Sequence, residues 1–236
     1  MQSVTLVPTL VGQIYDRILS EICDGTLPAN TRLIQDELAE AYDVSRQPVQ
    51  QALALLRDRG FVINAPKRGV VVAELDIDFV RSAYEIREVL DGLACRLAAE
   101  RSPREAGAGR EILERGRAAV ASGAVAEQIA EDIAFHQFVN ALSRNRAIEE
   151  AARPYWHHMR RIMGEVLRVD RGVDARVWDE HAAILDAIIG NDPEAAERLG
   201  REHIRRASIK FVSKLEALRR GADEESRKRS LARRLR

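Results

Sequence analysis

The sequence predicts a mainly α-helical protein in two parts: a small N-terminal head that contains a short β-hairpin, and a larger body made only of helices. Through most of the 236 residues, apolar side chains recur three or four positions apart, which is the period of an amphipathic helix. One pair of short β-branched runs lies before residue 73, and only long helical patterns follow it. We therefore expect one domain at residues 1–75 and a second at residues 76–220.

The composition is typical of a soluble globular protein, with 46% hydrophobic and 31% charged residues. The formal net charge is zero, so any attraction to nucleic acid has to come from a local surface. The N-terminus lacks the basic start and the continuous apolar segment of a signal peptide, and no apolar run approaches the roughly 20 residues of a membrane span. Cys23 and Cys95 lie in apolar helical stretches without a CxxC pair, as buried thiols do. We expect a cytoplasmic protein.

The head contains the elements of a winged helix-turn-helix. The apolar period predicts helices at residues 10–25, 34–42 and 45–59. Gly25 and Gly60 are suited to end the first and the third helix, and residues 26–33 are expected to form a loop. The runs FVIN and VVVAE, joined by APKRG, predict the hairpin or wing. In this fold the third helix enters the major groove of DNA.

The start of the third helix, SRQPVQ, offers side chains that can bond to phosphates or base edges at a helix N-terminus. The wing adds two basic residues before a glycine that lets the backbone approach a sugar-phosphate strand. The predicted DNA contacts are Arg32, Ser45, Arg46, Gln47, Gln50, Lys67, Arg68 and Gly69. The alternative is a protein-binding module with solvated surface charges. Because residues 1–75 contain seven Lys/Arg and nine Asp/Glu, the acidic residues must lie off the binding face or reduce affinity.

The sequence after residue 75 predicts an antiparallel helical bundle. Its helices are expected at residues 77–101, 103–122, 125–143, 146–169, 174–189 and 193–219. Pro154 could break the fourth of them. Residues 219–236 contain eight Lys/Arg, three Asp/Glu and only two leucines, so residues 221–236 are predicted to be a basic, disordered tail. Nonspecific attraction of this tail to DNA is the functional alternative.

Three histidines on three helices of the body point at its interior. Asp132 and His136 lie one helical turn apart on an apolar side, and His181 and His203 each share a stripe with apolar residues. One carboxylate and three imidazoles suit a divalent ion, with zinc or nickel favoured among first-row metals. The alternative is a hydrogen bond between Asp132 and His136 in a polar core.

Arg87 lies on the apolar stripe of the first body helix, so its guanidinium should point into the bundle and needs a partner there. Asp91, one turn on, would make an ordinary internal ion pair. A bound carboxylate that also completes the shell of the metal is the second interpretation. Trp156 and Arg160 are further candidates for lining the same cavity and binding an effector.

The run GTLPANTRLIQDELAEAYDVSRQPVQQALALLRDRGFVINAPKRGVVV resembles the DNA-binding head of GntR-type bacterial transcription regulators, in the FadR-like branch with an all-helical FCD body. The resemblance covers residues 10 to 218. The family motif V-[ST]-R-x-P-[VL]-R reads VSRQPVQ here, with Gln50 in place of the usual Arg. Asp36 stands where many members carry an Arg that contacts DNA. Both differences remove positive charge from the expected interface.

The resemblance implies a metal on the four positions identified above and a pocket that accepts small organic acids. We therefore expect a metabolite-responsive regulator, such as a repressor, and not an enzyme. It would bind double-stranded operator DNA as a homodimer and respond to a carboxylic acid in a metal-containing pocket. A direct metal sensor is the first alternative. A metal-dependent hydrolase is the second, although no general base stands out beside the metal residues.

Overall fold

The structure is a computed structural model that describes residues 9–65, 69–102, 104–170 and 175–234. The chain divides into two compact units, Met1–Leu75 and Asp76–Arg236, which are called the head and the body below. The predicted fold class is confirmed: three helices and a small antiparallel sheet form the head, and the described part of the body is helical.

The head contains α1 (Leu10–Asp24), β1 (Arg32–Leu33), α2 (Gln35–Ala41), α3 (Arg46–Asp58), β2 (Val62–Asn64) and β3 (Val70–Val72). α1 begins at Thr9, whose Oγ1 accepts a hydrogen bond from the backbone N–H of Gly12 at 3.1 Å. It ends at Gly25, which has the left-handed φ of 81° that glycine adopts without strain. Buried residues of α1 and α3, among them Ile18 and Leu56, form the core of the head.

The sheet of the head has the order β1-β3-β2, with both pairs antiparallel. β2 and β3 are the predicted hairpin. β1 corrects the expectation that residues 26–33 form only a loop, because Leu33 pairs with Val70 and its side chain is buried. This strand is two residues long, which is too short for its alternation to be read from sequence.

The body contains α4 (Ile77–Arg101), a 3-10 helix (Glu105–Ala108), α5 (Gly109–Ser122), α6 (Val125–Leu142), α7 (Arg146–Asp170), α8 (Arg176–Ile189) and α9 (Pro193–Arg234). Three ion pairs show that α4 and α9 run antiparallel: Arg81 with Glu216, Arg205 with Glu88, and Arg96 with Glu197. α5 and α8 approach closely at Gly116, where a Cβ would lie 2.0 Å from Cη2 of the buried Trp178.

Two expectations about helix ends are corrected. α7 continues through Pro154, because buried residues on both sides of it, such as Ala152 and Met159, keep the helix packed despite the lost hydrogen bond. The backbone of α9 continues to Arg234, so residues 221–234 are helical and not a disordered tail. The sequence there has three acid-to-base pairs four positions apart, which favour a helix without any apolar face: Asp223 and Arg227, Glu224 and Lys228, and Glu225 and Arg229.

Candidate functional site

Three buried imidazoles meet inside the body, each supplied by a different helix. α6 carries His136, α8 carries His181 and α9 carries His203. The Nε2 atom of His203 lies 3.2 Å from that of His181 and 3.3 Å from that of His136. One nitrogen of each ring lies within 4.8 Å of the others. The structure therefore brings together the three histidines that the sequence predicted to share a site.

Carboxylates contact the far side of two of these rings. Oε2 of Glu180 lies 2.8 Å from Nδ1 of His203, and Oδ2 of Asp91 lies 3.4 Å from Nδ1 of His136. A carboxylate at Nδ1 accepts the ring proton, which leaves the lone pair of each neutral imidazole on Nε2. The Nε2 lone pairs of His203 and His136 then lie close together and repel each other. A cation between them would attract both.

A hydrogen-bonded core without a cation fits these contacts less well. With the ring protons of His203 and His136 on Nδ1, His181 can donate an Nε2 proton to His203, but the 3.3 Å contact between Nε2 of His203 and Nε2 of His136 then has no proton. A buried acceptor left without a partner costs about 1–3 kcal/mol. A divalent cation bound by all three Nε2 atoms would give each of these lone pairs a partner, so the donor set fits a metal. Nδ1 of His181 has no hydrogen-bond partner among the described residues with or without a cation.

Asp132 lies beside the cluster, but it does not make the hydrogen bond to His136 that was the alternative to a metal. Its Oδ1 is 3.7 Å from Nε2 of His181, whereas the carboxylate that meets His136 is Asp91. The group of possible ligand atoms that lie within 4.8 Å of one another contains the three imidazoles but not Asp132. The sequence did not reveal Asp91 and Glu180 as histidine partners, because the contact between helices that are distant in sequence decides those roles.

The electrostatics of the cluster favour the neutral form of His136 and His181, which is the form that binds a metal. Burial, together with nearby Arg87, lowers the pKa of His136 and of His181 well below the usual histidine value. Burial raises the pKa of Asp132, and the charges of His203 and Arg87 oppose this change. Partial burial also acts to raise the pKa of Glu180, but the hydrogen bond from His203 and nearby arginines lower it overall.

A cavity of about 260 Å³ opens beside the cluster. The polar side chains beside the cluster are His136, His203, Asp132 and Arg87, which are called the polar end below. The apolar lining includes Tyr84, Met163, Leu167, Ile204 and Phe211, and the further charged lining residues are Arg176, Glu180, Arg206 and Lys210. A small molecule with an acidic group and an apolar part would fit a cavity of this composition.

Arg87 forms the internal ion pair with Asp91, which was one of the two arrangements predicted for it. Its side chain is 5% exposed, and Nη2 lies 3.0 Å from Oδ2 of Asp91. Since Asp91 also meets His136, a continuous path of polar contacts joins Arg87 to the imidazole cluster. Arg87 borders the cavity as well, and its Nε is buried without a hydrogen-bond partner among the described residues. Because a guanidinium carries five N–H donors, the arginine can hold Asp91 and still donate to an anion in the cavity.

The two remaining effector candidates lie away from the cavity. Neither Trp156 nor Arg160 is among the described residues that line the cavity. Trp156 lies behind Arg87, with its ring 5.5 Å from the guanidinium carbon, and Arg160 is exposed. Trp156 and Arg160 precede the cavity-lining residues Met163 and Leu167 by seven positions each, so they share that face of α7 but lie about 10 Å nearer its N-terminal end.

In the head, the residues predicted to contact DNA at the start of α3 are all exposed: Ser45, Arg46, Gln47 and Gln50. Ser45 is the N-cap residue, but its side chain makes no capping hydrogen bond. Arg32 lies beside the wing, since a Cβ on Gly69 would be 3.8 Å from its Nε. Gly69 has a φ of 93°, which favours glycine. Lys67 and Arg68 lie outside the described residues.

Comparison with known proteins identifies both units. Residues 10–72 match the family described as bacterial regulatory proteins, gntR family, and residues 82–206 match the FCD domain. The chain is 30% identical over 195 residues to an HTH-type transcriptional regulator in an unstable DNA locus of Streptomyces ambofaciens, covering 81% of this chain and 80% of that protein.

The chain is also 27% identical over 199 residues to the "probable D-xylose utilization operon transcriptional repressor" of Paenarthrobacter nicotinovorans, covering 83% of this chain and 86% of that protein. The solved structure of E. coli McbR/YncC is similar in fold, with a TM-score of 0.75 at 21% identity. That similarity covers 88% of this chain and 99% of the E. coli chain.

The matched domains and the relatives belong to transcriptional regulators and not to enzymes. In the described ranges, none of the helices has the length and apolar composition that crossing a bilayer requires. The gntR-type head implies DNA binding, and the FCD body implies a small-molecule effector. This chain belongs to the GntR family of bacterial transcription regulators, with an FCD domain as its body.

Proposed function

We propose that a small carboxylic acid controls this regulator by binding in the cavity of the body, next to a divalent metal ion held by His136, His181 and His203. The observation that carries the proposal is the convergence of three Nε2 atoms, two of them with a carboxylate at Nδ1. Asp132 would supply a further ligand. Zinc or nickel suits this set of nitrogen and oxygen donors.

The metal would supply positive charge and open coordination positions at the polar end of the cavity. Arg87 borders the same end and carries a buried N–H without a partner among the described residues, so it would bind an acidic group in a region of low dielectric constant. The cavity is smaller than the roughly 300–1,000 Å³ of pockets for drug-sized ligands, which favours a small acid.

The apolar wall would hold the rest of the acid. Met163 and Leu167 of α7 line the cavity together with Ile204 and Phe211 of α9. Short aliphatic or aromatic acids therefore fit better than acids with many hydroxyl groups, which would lose hydrogen bonds to water there. Binding would connect α4, α7 and α9, and α4 is the helix that follows the head in the chain.

The output would be a change in operator affinity. We propose a homodimer on a palindromic operator, because a two-fold protein matches two half-sites one helical turn apart. The P. nicotinovorans relative is named as a repressor, which supports repression as the direction of control.

The test is operator binding by the metal-loaded protein, measured by fluorescence anisotropy against a panel of mono-, di- and hydroxy-acids. The DNA probe would be a duplex selected by this protein from random sequence. An acid that binds should change operator affinity by about 5- to 150-fold, the usual range of coupling between two sites. Direct metal sensing predicts instead that affinity follows metal loading alone. If no acid that binds changes operator affinity, the acid-response proposal fails.

A further inference from the structure

The surface of the head that faces DNA in this family contains an ion pair between two helices. Arg46 is the first residue of α3, and Asp36 lies in the first turn of α2. Nε of Arg46 lies 2.6 Å from Oδ1 of Asp36. Both side chains remain largely exposed, at 73% and 59%. Exposed ion pairs contribute little to folding stability, so the effect of this pair should lie elsewhere.

The contact with Asp36 involves Nε of Arg46 and not one of its terminal nitrogens. Asp36 makes its closest contact with Nε of the guanidinium, and the two terminal nitrogens carry four further N–H donors that remain for other acceptors. Those two nitrogens form the fork that donates a pair of hydrogen bonds to O6 and N7 of a guanine in the major groove. An arginine held at Nε has already lost part of its rotamer freedom before it meets a base.

The charge of Asp36 also acts on all DNA, whatever its sequence. The head contains more acidic than basic residues, and a carboxylate beside the start of α3 repels the phosphates that approach this helix. Asp36 should therefore weaken binding to unrelated DNA and at the same time improve the orientation of Arg46. The repulsion affects the operator and unrelated DNA alike and cancels in the ratio of their affinities, whereas the orientation of Arg46 changes that ratio, so the two effects can be separated.

We infer that Asp36 is a positioning residue for base recognition: it holds Arg46 with its terminal fork directed at a guanine of the operator half-site. The inference depends on DNA binding by the head and is independent of the metal and the acid. It assigns a role in specificity to a carboxylate that by charge alone would only oppose DNA binding.

The test compares Asp36→Asn with Asp58→Asn in the full-length chain. Asp58 is exposed at the other end of α3, about 18 Å along the helix axis from Arg46, so its replacement removes the same charge without touching the pair. Dissociation constants are measured at matched salt for three kinds of duplex. These are an operator selected from random DNA, the same operator with each guanine replaced in turn, and an unrelated sequence.

Asp36→Asn should bind the unrelated duplex about two- to fivefold tighter, because one repulsive charge is lost. Its discrimination against replacement of one particular guanine should fall by at least about tenfold. Asp58→Asn should keep the wild-type discrimination. Arg46→Ala should lose discrimination at the same guanine, and adding Asp36→Asn to it should cause little further loss.

A different pattern would overturn the inference. If Asp36→Asn strengthens binding to the operator and to every other duplex by one common factor, Asp36 is only a repulsive charge. If Arg46→Ala keeps full discrimination at every guanine, Arg46 does not read a base and has no fork to position. Circular dichroism and thermal melting of each variant establish that the head is folded before these ratios are compared.

Discussion

Replacement of His203 by alanine should remove the metal from the body and lower the melting temperature by about 10 °C. The Nε2 atom of His203 is the one that lies near both other imidazoles, so its loss leaves two nitrogens that no longer share a third ligand. A ligand present at a thousand times its dissociation constant stabilises a protein by about 4 kcal/mol. For a protein of this size, each kcal/mol corresponds to about 2–4 °C.

His203 is a suitable position for this test because its other partner keeps a counter-charge. Glu180 still contacts Nε of Arg206 at 2.9 Å, so the substitution does not leave that carboxylate unpaired. His157→Ala is the matched control, since it removes a half-buried imidazole outside the cluster. Calorimetry with and without a chelator measures the effect. If His203→Ala melts with the wild type under both conditions, the cluster is a polar core without a metal.

Replacement of Arg87 by methionine should destabilise the body by about 3–5 kcal/mol, because it leaves the Asp91 carboxylate buried without its charged partner. Adding Asp91→Asn should restore most of this stability, since the buried charge is then removed while an acceptor for His136 Nδ1 remains. Urea unfolding of the single and double variants measures both changes.

The double variant also separates folding from ligand binding. It should regain stability but still bind the acid much more weakly than the wild type, because it lacks the guanidinium at the polar end of the cavity. Calorimetric titration with the acid that binds best to the wild type provides the measurement. Equal acid affinity in the wild type and the stable double variant would exclude Arg87 from the acid site.

The helices of the body, and the histidines on their inward faces, could be predicted because both depend on a local period. The spacing of apolar residues, three or four positions apart, places His136, His181 and His203 on the apolar faces of their helices, however those helices pack together. Their partners could not be predicted in the same way. Asp91 and Glu180 meet imidazoles of other helices, and these contacts depend on the relative rotation of α4, α6, α8 and α9.

The errors at the level of elements have local causes. The strand Arg32–Leu33 is too short for a period and forms because β3 offers it backbone partners. The predicted disordered tail is wrong because α9 continues to Arg234. The tail has few apolar residues, but its acidic and basic residues four positions apart favour a helix. The ion pair of Asp36 with Arg46 joins two helices across a turn, so the sequence alone indicated only a loss of positive charge.

Native mass spectrometry tests the metal-centred function most directly, using the full chain purified without a chelator or a metal-binding tag. The three imidazoles of His136, His181 and His203 predict one divalent ion per chain, and the proposed homodimer predicts two chains per particle. Acid added to the spray solution should add one ligand mass per metal-loaded chain. Particles in which every chain lacks a metal, yet which still take up the acid, would contradict the proposed function.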